Sequence, residues 1–354
     1  MNYKRKTKVK LLPPMPAQLE EDGLTSRSRS NMFEFVSTFM NGAMHATFGY
    51  LKSLMRVSPV FWLTGLWLKM SLASDEKKRA TSRQARPLGP ALRIALISIS
   101  AALYAAAIGA TSPVSTPWGV GQFRPGVVFP AVFAVIYGPL IGGAGAAVGT
   151  FVGDVVFLTP LGLTTPLLSL IAGVPGNFVG FFLLGWFVRR YSSWFGFVFG
   201  SLVSLLVGNF IAALGVVAYL AVDGWSTFQV DALVGAVFGF TFFWLVTMIP
   251  FVIPLVPPLV VALQPLVGSQ MNVGVAGWRR GSGSEALRSS LVVSAVLGVL
   301  YALVQFTSLG DVLFKSVTGP QFIPWLKLLF LVSALVVFIF GTVVGLVLRR
   351  ERKK

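Results

Sequence analysis

The chain of 354 residues is too apolar to form soluble domains. Hydrophobic residues make up 55% of it and charged residues 12%, and its mean hydropathy is +0.78. Soluble domains carry about 25% charged residues, so the polar side chains here cannot cover a water-facing surface. The absence of cysteine excludes disulfides, thiolate nucleophiles and zinc–thiolate sites. The composition predicts a polytopic membrane protein.

The net charge of +17 is concentrated outside the most apolar part of the chain. Residues 1–90 hold 15 of the 29 Lys and Arg residues, residues 91–264 hold four, and residues 265–354 hold ten. Basic residues between and beyond apolar runs are typical of the positive-inside rule. We therefore expect contacts with anionic lipids and no nucleic acid as a partner.

Residues 1–90 are predicted to form a basic cytoplasmic tail, because no apolar signal-peptide core follows the first lysines. Apolar residues recur every three or four positions from Met32 to Met55, which predicts an interfacial amphipathic helix. The run from Val60 to Leu68 is too short to cross about 30 Å of hydrocarbon, although both segments together could form one span. His45, the only histidine, is expected on a polar face rather than as a ligand.

Residues 91–264 are predicted to form a membrane domain of six helices. The expected spans are about 91–110, 123–138, 139–157, 164–188, 195–222 and 232–263. A tight hairpin is expected at Gly138–Pro139, because proline lacks the helix donor and clashes with the preceding turn. The sixth span must be kinked or ended by Pro250, Pro254, Pro257 and Pro258.

The remainder comprises a Gly/Ser-rich basic linker, residues 265–290, and a two-helix membrane extension, residues 291–354, with a basic cytoplasmic end. Its spans are expected at about 291–306 and 325–348. Eight spans place both termini on one side. With that side cytoplasmic and the long tail discounted, Lys and Arg number eleven inside and three outside. The prediction is an all-α helical bundle of the cell membrane with cytoplasmic termini.

Arg124 and Asp154 are opposite charges inside apolar sequence, where a carboxylate costs about 2.5–3.5 kcal/mol. Each lies fifteen residues from Pro139, so both rise about 22 Å from the hairpin turn. They are expected to face each other near the outer mouth of the bundle. The pair either closes the hairpin as a structural ion pair or also binds a polar solute, and both roles are compatible.

Further polar and aromatic residues are candidates for solute binding. Amides in hydrocarbon need hydrogen-bond partners, so Asn177 and Asn209 either join helices or contact solute. The predicted outer loops carry Trp118, Gln122 and Trp225, with interfacial anchoring as the alternative for the tryptophans. Aromatic faces with a few polar groups are typical of small-molecule pockets. The predicted substrate-binding set is Trp118, Gln122, Arg124, Asp154, Asn177, Asn209 and Trp225.

Small residues predict helix contacts. Glycines recur every fourth residue at Gly145–Gly149–Gly153 and at Gly176–Gly180, which permits close packing in lipid. The first span has one smooth face that suits docking of another protein's helix, formed by Ala91, Ala95, Ser98, Ala102, Ala106 and Gly109. No phosphate-binding or HExxH metal motif is present. We predict no catalytic residues, metal ligands or cofactor, and no enzyme activity.

A Gly–Pro hairpin that ends in Gly–Asp follows an Ala-rich first helix. Its sequence comprises the segments Phe123–Pro130, Ala134–Gly143 and Gly149–Asp154. In these features residues 91–264 resemble the substrate-binding S components of energy-coupling-factor (ECF) vitamin transporters. The long N-terminal extension and the two C-terminal spans depart from that family. They could shield the bundle or recruit partners.

The resemblance implies a six-helix bundle that captures a vitamin or related micronutrient at the outer face. It also implies that Ala91, Ala95, Ala102 and Ala106 dock on a coupling membrane subunit driven by two ATPase subunits. One alternative is a secondary transporter that moves solute with ions or protons through Asp154. Another is a non-transporting membrane scaffold whose basic tail recruits protein or lipid.

Overall fold

The computed structural model describes residues 88–111, 123–222, 230–267, 283–315 and 323–351. In this part of the chain the regular structure is helical and contains no strand. The helices, in chain order, are α1 (Pro90–Thr111), α2 (Pro125–Tyr137), α3 (Pro139–Leu161), α4 (Pro166–Tyr191), α5 (Trp194–Val222), α6 (Val230–Val267), α7 (Gly283–Phe306), α8 (Leu309–Lys315) and α9 (Ile323–Glu351). The all-α polytopic membrane bundle is thereby confirmed.

Seven of these helices are long and apolar enough to cross a membrane. The exceptions are the short connector α8 and the apolar helix α2, which is only about 20 Å long at 1.5 Å per residue. The prediction of eight full spans is therefore wrong at the second one. Helices α2 and α3 still meet at Gly138 and pack against each other as the expected hairpin.

The boundaries of the later helices differ from the predicted ones. Helix α7 begins at Gly283, within the segment assigned to the linker, so Gly283 and Ser284 do not prevent helix formation. Helix α6 runs for 38 residues without ending at Pro250, Pro254, Pro257 or Pro258. One side of it is buried at Ile249, Val252, Val256 and Val260, and transmembrane helices that are packed against neighbours tolerate proline.

Glycines bring neighbouring helices into backbone contact. A Cβ on Gly149 of α3 would lie 2.8 Å from the Ala101 carbonyl oxygen of α1, and one on Gly176 of α4 would lie 2.7 Å from the Gly208 carbonyl oxygen of α5. Both contacts are too close for any larger residue. The predicted glycine stripes of α3 and α4 are therefore confirmed as packing surfaces.

The C-terminal helices α7 and α9 pack against each other and against α5 and α6. Ser333 of α9 donates its hydroxyl to the Val246 carbonyl oxygen of α6 at 2.8 Å. Across the bundle, the predicted smooth face of α1 is exposed at Ala91, Ala95, Ser98, Ala102 and Ala106. The C-terminal pair therefore does not cover that face.

Candidate functional site: a polar cavity in the helical bundle

Arg124 and Asp154 form an ion pair inside the bundle. The distance from Arg124 Nη2 to Asp154 Oδ1 is 2.6 Å, and the two side chains are 11% and 2% exposed. Arg124 immediately precedes α2 and Asp154 lies within α3, so the hairpin at Gly138–Pro139 brings them together. The predicted pairing at equal distances from the turn is confirmed.

Asp154 has a second partner that the sequence did not reveal. The Ser169 hydroxyl of α4 donates to Asp154 Oδ2 at 2.7 Å, and Ser169 is itself buried. Each carboxylate oxygen thus accepts a hydrogen bond from a different element. The charge of Asp154 is neutralised by Arg124 and solvated by Ser169, which makes its burial tolerable.

Asp154 and Ser169 each occupy the first position of a π-helical turn. These turns are Asp154–Leu158 in α3 and Ser169–Gly173 in α4. Pro160 and Pro175 follow at the same six-residue spacing. Proline cannot donate the regular helical hydrogen bond, and a widened turn accommodates it. This repeated spacing between a polar residue and a proline is the sequence signal that could have identified Ser169 as part of the site.

Tyr104 and Asn177 extend the polar network. The fully buried Tyr104 of α1 donates its hydroxyl to Asn177 Oδ1 at 3.2 Å, and Asn177 Nδ2 donates to the Gly173 carbonyl oxygen at 2.8 Å. The Tyr104 hydroxyl also interacts with the Arg124 guanidinium. Tyr104, which was not predicted, joins α1 to both α4 and the ion pair.

A cavity of about 50 Å³ lies beside this network. Its walls come from the ion-paired hairpin and from α4, α5 and α6. It is lined by Arg124, Asp154, Thr164, Leu168, Ser169, Ala172, Gly173, Asn177, Asn209, Ala212, Val216, Trp244 and Met248. About 10–15 Å³ is needed for one water molecule, so the cavity accommodates a group of about four heavy atoms.

Two donors on this wall have no hydrogen-bond partner among the described residues. They are Asn209 Nδ2 of α5 and Trp244 Nε1 of α6, and both side chains are 7% exposed. Leaving such donors unsatisfied in an apolar interior costs about 1–3 kcal/mol each. Asn209 and Trp244 thus contribute to the cavity wall donors that the described residues leave unsatisfied.

No family model, curated protein or solved structure matches this chain.

Four of the seven predicted substrate-binding residues, Arg124, Asp154, Asn177 and Asn209, line the same cavity. The other three, Trp118, Gln122 and Trp225, lie outside the described residues, as do His45 and the predicted amphipathic helix of the tail. Trp244 was not predicted because its position within α6 resembles that of any core aromatic. Only the packing of α6 on α5 places its indole on the cavity wall.

Proposed function

We propose that this chain is the membrane-embedded substrate-binding component of an ATP-driven importer of the ECF type, which captures a vitamin or related micronutrient. The observation that carries the proposal is a polar cavity within the helical bundle, where charged and amide side chains converge beside two donors that have no hydrogen-bond partner among the described residues. Ionisable residues inside membrane spans usually serve transport or ligand binding.

The size of the cavity bears on the solute. Sites for drug-sized ligands usually measure about 300–1,000 Å³, whereas this cavity measures about 50 Å³. The cavity is therefore large enough to hold only one end of a vitamin-sized solute. The remainder would lie beyond the cavity, or the helices around it would separate on binding.

The exposed face of α1 supports the second half of the proposal. Ala95 and Ala102 present small side chains to the outside of the bundle, and small-residue faces allow close approach of a second helix in lipid. The two C-terminal helices, which depart from the S-component pattern, pack on α5 and α6 and leave this face open. A coupling membrane subunit would dock there and couple ATP hydrolysis by the ATPase subunits to transport.

Native mass spectrometry of the purified chain tests solute capture directly. A tightly bound molecule of vitamin size should remain with the wild type and be lost from the Asp154→Asn variant. If no small molecule co-purifies and none of the water-soluble vitamins binds, solute capture is wrong and the scaffold alternative gains support.

Uptake assays test the coupling mechanism. Membrane vesicles should accumulate the solute identified by mass spectrometry only when ATP is present. Uptake that persists on an ion or proton gradient without ATP would contradict the importer and favour a secondary transporter acting through Asp154.

Paired substitutions test the docking face. Ala95→Leu and Ala102→Leu should abolish ATP-dependent uptake while leaving solute binding by the isolated chain unchanged. The matched control is Ala302→Leu, which enlarges an exposed alanine on α7 and should not affect uptake. Equal uptake by all three variants would show that α1 is not the docking helix.

A further inference from the structure

The charges that line the cavity cancel each other. Asp154 Oδ1 accepts from Arg124 and Asp154 Oδ2 accepts from Ser169, so both carboxylate oxygens already have hydrogen-bond donors. Among the described residues that line the cavity, no other is charged. An ion that entered would therefore find no free counter-charge on these residues, and burying an unpaired charge is far more costly than burying a neutral polar group.

The unsatisfied groups of the wall are neutral donors. Asn209 Nδ2 offers amide N–H groups and Trp244 Nε1 offers one indole N–H, and tryptophan can only donate. A solute that satisfies them must present acceptors. These two side chains come from adjacent packed helices, α5 and α6, so they reach the cavity from separate elements.

From these observations we infer that the cavity binds the uncharged, acceptor-bearing end of the solute, a carbonyl-type group such as a carboxamide, ureido or lactam, through Asn209 and Trp244. This inference rests on the proposed solute-binding function and names the class of its substrate. Arg124 and Asp154 then shape and polarise the cavity while contributing no net charge. Cationic and anionic ends of a solute are excluded from it.

Three small molecules of nearly equal size and different charge test the inference. Acetamide is neutral, acetate is its anionic counterpart and acetamidinium its cationic one, and each has four heavy atoms and a methyl group. Saturation-transfer NMR on the purified full chain at pH 7 reports their binding through the methyl signal. Acetamide should give a saturable signal, whereas acetate and acetamidinium should not.

Two conservative variants link that signal to the donors. Asn209→Leu keeps the volume of the side chain but removes its donors, and Trp244→Phe keeps an aromatic ring that can stack on Phe240. Each variant should weaken acetamide binding about three- to tenfold, as expected for loss of one hydrogen bond. Trp186→Phe alters an exposed tryptophan outside the cavity and serves as the matched control.

Several outcomes would overturn the inference. Stronger binding of acetate or acetamidinium than of acetamide would do so, as would absence of a saturable acetamide signal or an equal signal in folded Asn209→Leu and Trp244→Phe variants. If one variant does not fold, the comparison of the three probes on the wild type still decides. These measurements require neither ATP nor a coupling subunit, so a failed uptake assay leaves them interpretable.

Discussion

The α2–α3 hairpin and the α7–α9 pair lie in the same bundle but are held together differently. In the first, the Arg124–Asp154 ion pair joins the ends of the helices that are remote from the turn. In the second, a Cβ on Gly345 would lie 2.8 Å from the Gly283 carbonyl oxygen, and Ser294 donates to the Ala334 carbonyl oxygen at 2.7 Å. Among the described residues, backbone approach and a neutral hydrogen bond are the contacts observed between these two helices.

This difference indicates what the ion pair contributes. Small-residue contacts are sufficient to associate helices in lipid, and well-packed apolar residues often equal or exceed a buried ion pair in stability. Packing alone therefore does not require Arg124 and Asp154 in the first hairpin. Their position beside a cavity with unsatisfied donors favours a role in solute binding. Four substitutions test this comparison, taken from the largest expected effect to the smallest.

Replacing Asp154 with asparagine should have the largest effect. The change leaves the Arg124 guanidinium buried without its counter-charge and should lower the free energy of unfolding by about 3–5 kcal/mol. Reversible unfolding in mixed micelles measures this loss. The double variant Arg124→Met with Asp154→Leu should recover most of the stability without recovering solute binding. A single variant as stable as the wild type would show that the pair does not support the hairpin.

Replacing Ser169 with alanine removes a hydrogen bond to a charged group. The expected loss in the free energy of unfolding is about 1.5–3 kcal/mol. Ser333→Ala is the matched control, because Ser333 is equally buried but donates to a neutral carbonyl oxygen at 2.8 Å. Its expected loss is about 0.5–1.5 kcal/mol by the same measurement. Equal losses would mean that Asp154 is not charged in the folded protein.

Replacing Gly345 with alanine tests the small-residue contact of the C-terminal pair. The added methyl group would press on the Gly283 carbonyl oxygen and should cost about 1–3 kcal/mol in the free energy of unfolding. Gly298→Ala on α7 is the control, since nothing lies within 4 Å of a Cβ there. That variant should be neutral or up to about 1 kcal/mol more stable. The reverse order of the two variants would contradict the proposed packing.

Replacing Asp311 with asparagine should have the smallest effect. Lys327 Nζ lies 3.5 Å from Asp311 Oδ1, and the Asp311 side chain is 62% exposed. Exposed ion pairs usually contribute less than about 1 kcal/mol, so the free energy of unfolding should change by no more than that. A loss comparable to that of Asp154→Asn would mean that burial does not distinguish the two ion pairs.

Local sequence patterns were sufficient to predict the order of the long apolar helices and one long-range contact, the Arg124–Asp154 ion pair. Hydropathy predicted the order of the apolar helices, and the Gly138–Pro139 break predicted the first hairpin. The shortness of α2 was not predicted, because apolar residues 123–138 look continuous although the helix begins only at Pro125. The start of α7 at Gly283 was not predicted either, because its N-terminal glycines and serines resemble a linker.

The sequence by itself determined that Arg124 faces Asp154. Each residue lies fifteen positions from Pro139, and helical arms of equal length bring their residues to the same distance from the turn. The proline spacing that Ser169 shares with Asp154 was visible in the sequence, but only the tertiary structure decided that the Ser169 hydroxyl reaches Asp154 and that Tyr104 and Trp244 belong to the site. These residues belong to different helices, and no local pattern specifies how those helices are rotated against one another. For the same reason, the unsatisfied donors of Asn209 and Trp244 became visible only once α5 and α6 were packed together.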